Sequence, residues 1–305
     1  MTVPLTGQQY EIEAGPYRAV VTELGAGLRE LSAAGQPMLL GYGADELPPA
    51  GAGQLLVPWP NRIDGGRYSF RGAEEFLALT EPARGNAIHG LTRWTGWTAV
   101  RHDGHAVLLR SAPHGYQGYP FAVEIEVEYR LDAATGLEVT VTAANRGRQA
   151  APYGTGSHPY LAAGPGPVDD WELTLAATSW LATDDRGIPA GPVADVDGTP
   201  QDFRKPRAIG AARLDHALTG LPRDDDGRAW ARLRGSAGNE VSLWAGPGYG
   251  WLQVFTGDPL GPDRRRQAVA IEPMTCPPNA FVSGDDLIVI EPGETVSRSW
   301  GLVGG

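Results

Sequence analysis

The sequence predicts an all-β protein, a single antiparallel domain over residues 1–305, on three observations. Apolar and polar residues alternate at period two in run after run. Turns rich in glycine and proline separate the runs. Sustained helical periodicity is nearly missing. Many short strands with regular turns point to a sandwich or a barrel. At 305 residues the chain is long enough for two average domains. It has no internal repeat of fixed length and no charged or serine-rich linker, which favours one.

In chain order, "YRAVVTEL" (Tyr17 to Leu24) is the first clear strand-like run. "WTAVRHDGHAVLLRS" (Trp97 to Ser111) reads as a hairpin turning at Asp103 and Gly104. The strongest signal is "FAVEIEVEYRL", in which Val123, Ile125, Val127, Tyr129 and Leu131 alternate with Glu124, Glu126, Glu128 and Arg130. A five-residue turn, "DAATG", then leads to "LEVTVTA", where Leu137, Val139 and Val141 alternate again. Further runs are "WELTLAA", "AWARLRG", "EVSLWAG", "GWLQVFTG", "DLIVI" and "TVSRSWGLV". The stretch "AIGAARLDHALTGL" (Ala208 to Leu221) has room for a helical turn or two, against its glycines.

Composition narrows the function. The net charge is -11, and apart from Arg264, Arg265 and Arg266, read as a solvated turn, no basic stripe appears; the electrostatic footprint of nucleic-acid binding is missing. A small molecule fits better as partner. One cysteine, Cys276, excludes an internal disulfide and the clusters that hold structural zinc or iron-sulfur centres. The start of the chain lacks the pattern of a signal peptide, and no run approaches the roughly 18 apolar residues of a membrane helix. The expectation is a cytoplasmic protein with no membrane partner. Dinucleotide, phosphate-loop, zinc-protease and nucleophile-elbow motifs are all lacking. His102 and His105 read as exposed turn residues, and the acidic clusters "RDDDGR" and "ATDDRG" as solvated turns. No metal and no cofactor are expected.

Four stretches are harder to explain as packing. "PWPNRIDGGRYSF" puts Asn61 and Arg62 behind a proline-braced apolar segment, where a guanidinium presents several donors to an oxygen-rich ligand. "GNAIHGLTRW" sets His89 beside Gly90, and "YGTGSHPYL" holds His158 among glycines and a proline. In "VAIEPMTCPPNAF" three apolar residues run into Glu272, which is either the wet end of a strand or a carboxylate made more basic at the edge of a core. Together, two histidines, an arginine and a glutamate in braced loops make an acid-base set if the fold brings them together.

These motifs resemble the aldose 1-epimerase, or galactose mutarotase, family. The resemblance is carried by "NRI" (Asn61 to Ile63), "HG" (His89, Gly90), "SHPYL" (Ser157 to Leu161), "LDHAL" (Leu214 to Leu218), and "IEP" followed by "PPNAF" (Ile271 to Phe281). It implies a large antiparallel β-sandwich, the galactose-mutarotase-like supersandwich, with a cofactor-free site in a cleft. It implies Glu272 as base, His158 as acid and His89 as a hydrogen-bonding group near the ring oxygen. Asn61, Arg62 and Asp215 would hold the hydroxyls of a monosaccharide. Leu91 and Leu161 stand where many members carry glycine and phenylalanine, which bears on the sugar more than on the reaction. Trp59 and Trp94, nearest the motifs, are candidates for stacking on a sugar face. Two alternatives stay open: a mutarotase for a phosphorylated or sulfonated sugar, met by Arg62, Arg93 or the 264–266 run, and a non-catalytic sugar-binding or sensor protein.

Overall fold

The computed structural model describes residues 3–112 and 114–305. The pairing is antiparallel throughout the strand ladders and produces two large sheets. The larger has nine strands, in the spatial order Thr98–His102, Ala106–Ser111, Val123–Asp132, Gly136–Asn145, Thr295–Gly304, Glu240–Ala245, Ala229–Arg234, Glu172–Leu175 and Phe203–Ala208. The second has eight strands and runs through Pro189–Asp195, Ser179–Thr183, Asp215–Thr219, Trp251–Phe255, Val269–Met274, Gly156–Ser157 and Leu55–Leu56, with Tyr160–Leu161 also paired to Val269–Met274. Val127, Val139 and Leu302 from the first sheet share a core with Leu218, Val254 and Ile271 from the second. This is the expected β-sandwich.

The period-two signal translates directly into the centre of the larger sheet. Val123–Asp132 pairs with Gly136–Asn145 along its full length, Val127 opposite Val141 and Tyr129 opposite Val139. Their side chains are buried. The glutamates between them point away and pair with arginines: Glu126 with Arg110, Glu128 with Arg130, Glu124 with Arg146. The connecting turn is tighter than the five residues expected, because Asp132 and Gly136 still pair. The Asp132 carboxylate accepts the backbone N–H of both Ala134 and Thr135, which closes the turn over three residues.

Two further expectations are corrected. The 208–221 stretch forms no helix; Asp215–Thr219 is an inner strand between Ser179–Thr183 and Trp251–Phe255. Pairing on both sides outweighs its weak helical pattern. The α-helix among the described residues is the single turn Ala280–Ser283. Glu272 is not the wet end of a strand: it is buried and lines a cavity on the face away from the main core. Val269–Met274 continues past it, with Val269 and Ile271 in the main core and Ala270, Glu272 and Met274 on the opposite face.

The arginine run is also not a plain solvated turn. Arg265 is exposed, but Arg264 donates to the Gly41 carbonyl and faces Glu46. Arg266, its side chain only 12% exposed, binds Asp169 at 2.9 Å and Asp258 at 3.0 Å and donates to the carbonyls of Gly210 and Ala212. One guanidinium thus ties three loops together. Arg266→Ala leaves Asp258 and two carbonyls without that partner and is expected to lower stability by about 2–4 kcal/mol in urea unfolding. Arg265→Ala should change it by less than ~0.5 kcal/mol. Equal small effects would show that the tie contributes nothing.

Candidate active site

Strand register alone brings the first group of residues together. Gly156 lies opposite Met274 and Tyr160 opposite Ala270, so the interrupted strand between them sets His158 across from Glu272. Nε2 of His158 is 3.3 Å from Oε1 of Glu272. On its other side Glu272 pairs with Gln253. Gln253 in turn lies opposite Ala217, and its amide donates to Oδ1 of Asp215 at 2.7 Å. Four neighbouring strands, one of them interrupted at His158, therefore deliver a histidine, two carboxylates and an amide to one face.

The second group is held by a small ladder at the rim. Arg62–Asp64 pairs with Asn86–Ile88. Just before it, Asn61 and His89 face each other in left-handed backbone conformations, at φ 54° and 60°. The His89 N–H donates to the Asn61 carbonyl at 2.9 Å, and the Asn61 N–H donates back to Nδ1 of the His89 ring at 3.2 Å. These reciprocal bonds offset the backbone strain of both residues. Gly90 completes the turn at φ 72°, where any Cβ would lie 1.9 Å from the Val57 carbonyl oxygen; the glycine of "HG" is obligatory. Asn279 of "PPNAF" secures the ladder from the other side, donating its N–H to the Arg62 carbonyl and accepting the Asp64 N–H with its side chain.

All six residues singled out in the sequence, Asn61, Arg62, His89, His158, Asp215 and Glu272, line one cavity of about 320 Å³. Of the two tryptophans, Trp94 stands at this cavity and is 47% exposed. Trp59 does not reach it: it is buried, edge-on to Phe281. It belongs to the main hydrophobic core. Sequence reasoning missed Gln253 and Glu81, which also line the cavity. Gln253 is legible only through register with Glu272, and Glu81 only through its partner Arg62.

Burial dominates the electrostatics. Glu272 is 2% exposed, and burial, reinforced by Asp215 and opposed by Arg62, lifts its carboxyl well above the usual range. Burial also pushes His158 down to about 3, with Arg93 and Arg62 acting in the same direction. Both groups are thus driven toward their neutral forms, and the close pair carries one proton as a carboxylic acid beside a neutral imidazole. His89 is likewise held neutral, first by burial and then by His158 and Arg93. Arg62 keeps its charge: burial alone would lower its pKa, but the hydrogen bonds and charge of Glu81 raise it.

His89, His158 and Glu272 offer donor atoms all within 4.8 Å of one another, a candidate metal trio. The bond from Asn61 N–H to His89 Nδ1 argues against it. It assigns the ring proton to Nε2, so that nitrogen is a hydrogen-bond donor and not a metal ligand. What remains is suited to moving protons and gripping hydroxyls.

The profile of the family described as aldose 1-epimerase matches residues 8–301. The chain is 36% identical over 289 residues to YihR, an uncharacterized protein of Escherichia coli K12, covering 95% of this chain and 91% of that one. It is 31% identical over 214 residues to the galactose mutarotase of Mus musculus, covering 65% of this chain and 57% of the mouse protein. In fold it is similar to the crystal structure of an aldose epimerase homologue from C. elegans, with a TM-score of 0.87, 20% identity and 98% of each chain covered. The profile match along nearly the whole sequence, joined to the YihR likeness, shows that this chain belongs to the aldose 1-epimerase family.

Proposed function

We propose that the protein is a mutarotase, interconverting the α and β anomers of a cyclic aldose without a cofactor. The observation that carries this reading is the 3.3 Å approach of His158 Nε2 to Glu272 Oε1, both buried, in a cavity that also presents hydroxyl-binding groups. The residues and their roles below belong to the same proposal.

Moving the shared proton from Glu272 to His158 gives a carboxylate beside an imidazolium. Glu272 then takes the proton of the anomeric hydroxyl. The C1 carbonyl forms, the bond from C1 to the ring oxygen breaks, and that oxygen takes the proton of His158. The open-chain aldehyde turns about the bond from C1 to C2. Closure on the other face of the carbonyl returns a proton from Glu272 to the new anomeric oxygen, while the attacking hydroxyl gives its proton to His158. Atoms and protons balance over the cycle. Each placed acid or base supplies ~100- to 10,000-fold. His89 donates through Nε2 to the region of the ring oxygen; Asn61, Arg62 and Asp215 hold the hydroxyls. Trp94 offers a face at the rim.

One observation favours a second reading, an aldose bearing an anionic substituent. Arg93 lines the cavity with no ion-pair partner among the described residues, its guanidinium 5.4 Å from the Trp94 ring centroid. Burial pulls its pKa below the ordinary value. An anion bound beside it would supply the missing counter-charge. If this reading holds, Arg93→Gln weakens binding of an anionic aldose and spares its neutral analogue, and salt weakens only the anion. Equal losses for both sugars would overturn it.

The primary test is exchange NMR of anomer interconversion across neutral, phosphorylated and sulfonated aldoses. The wild type should accelerate exchange of at least one. Glu272→Gln and His158→Ala should each reduce it by ~100-fold or more. Undiminished exchange in either variant would remove that residue from its role. Saturable binding with no exchange above background would make the protein a sugar-binding module.

Burial of Glu272 also predicts a trade of stability for function. The folded chain holds a proton that the unfolded chain releases near pH ~4.3, so wild-type stability falls as pH rises from there toward the raised folded value. Glutamine carries no such cost. Glu272→Gln is therefore expected to melt above the wild type at about pH 8, with the gap closing by about pH 4. A variant that melts at or below the wild type at the higher pH would contradict the assigned direction.

A further inference from the structure

We propose that Glu81 is a positioning residue for Arg62, fixing both the direction in which the guanidinium faces the cavity and the net charge of that wall. The inference rests on the sugar-binding role proposed for Arg62. Glu81 grips Arg62 with both carboxylate oxygens, Nε to Oε2 at 2.8 Å and Nη2 to Oε1 at 3.0 Å. Asn61 Oδ1 accepts from Nη1 at 3.3 Å. Of the five guanidinium N–H donors, three are committed to these bonds, and two remain for a ligand. The planar fork is therefore locked in its own plane before any sugar arrives.

Glu81 is itself held from several sides. Its backbone exchanges hydrogen bonds with Asn86, at 2.9 and 3.3 Å, and the Asn86 amide reaches its Oε2 at 3.3 Å. Arg186 pins this loop from the neighbouring turn, donating to the Arg84 carbonyl and the Asn86 side chain and pairing with Asp64 at 2.6 Å. In the same turn Gly187, at φ 73°, leaves its backbone so close to Arg62 that a Cβ would stand 2.7 Å from Nη1. Glycine there lets the turn cover the guanidinium. A surface ion pair needs no such enclosure; a group held for orientation does.

Charge gives the second half of the argument. Arg62 lies near enough to Glu272 and His158 to bias both. Glu81, which also meets Arg84 at 3.9 Å, offsets part of that charge, so it tempers how strongly Arg62 favours the Glu272 carboxylate.

The test compares Glu81→Gln, which keeps the shape and loses the charge, with Glu81→Asp, which keeps the charge and shortens the reach. Sugar affinity by NMR titration, kcat and KM by exchange NMR across pH, and thermal melting are measured on each with the aldose that wild type turns over or binds best. Glu81→Gln is expected to weaken binding about ten- to a hundredfold, with KM affected more than kcat. Its acid limb of kcat/KM moves to lower pH, because loss of a nearby negative charge favours the Glu272 carboxylate. Glu81→Asp returns the acid limb toward wild type while part of the KM defect remains. A Glu81→Gln protein with wild-type affinity and acid limb overturns the proposal, as do changes in both variants that merely follow the loss of melting temperature. Wild type that binds sugar without exchanging anomers defeats the mutarotase reading alone, and affinity then decides for Glu81. Wild type that binds no aldose defeats both.

Discussion

The burial of Glu272 beside His158 is the constraint on which the rest of the site depends. A buried carboxyl is costly to ionise, and this one has a second oxygen, Oε2, with no hydrogen-bond partner among the described residues. The sheet tolerates it because the neutral form prevails, shared with an imidazole that burial also keeps neutral. In the mechanism proposed above, the acid-plus-imidazole form is also the protonation state that accompanies the open-chain sugar. Because the resting pair already has that protonation state, burial favours the start and the open-chain stage alike, and the bound sugar must supply what favours the carboxylate and imidazolium that begin the reaction.

Holding that pair requires a rigid frame, and the frame consists of strand register. His158, Glu272 and Gln253 are cross-strand neighbours, so their spacing follows from the ladder and not from loop conformation. The break at His158 and Pro159 matters here. Proline contributes no ladder donor, and the interruption between Gly156–Ser157 and Tyr160–Leu161 lets His158 turn toward Glu272 without giving up the pairing on either side. The opposite wall is built differently, from a rim ladder closed by Asn61, His89 and Asn279.

The fold was legible wherever one face of a strand is wet. In Val123–Asp132 the alternation is complete because the glutamates meet solvent and arginines. It was illegible at Asp215–Thr219, where burial does not alternate along the strand: Ala217 and Leu218 are both buried and Asp215, His216 and Thr219 are half-buried. Site residues could be picked out when glycine or proline braced them, as with His89, His158 and Glu272. Gln253 carries no such mark, since it sits within an ordinary strand; Glu81 precedes Pro82 much as Glu272 precedes Pro273, but nothing near it in sequence points to its partner Arg62. Their significance lies in what they touch across the fold, which spacing in sequence does not encode. The same holds for Arg266, whose two carboxylate partners lie 97 and 8 residues away.

Charge balance explains why two arginines of one cavity are treated so differently. Arg62 is matched by Glu81 in a bidentate pair and enclosed by the Gly187 turn. In the sugar-binding role proposed for it, it contributes direction more than charge. Arg93 has no ion-pair partner among the described residues; it lies over Trp94, and burial lowers its pKa. A cation left in that state is costly unless something arrives to meet it. Asp215 and Glu272 share the cavity, but Asp215 is already bonded to Gln253 and Glu272 is held neutral. Among the described residues the cation at the rim, Arg93, is left without a carboxylate partner, and under the anionic-sugar reading discrimination between sugars should be sought there, away from the proton-transfer pair.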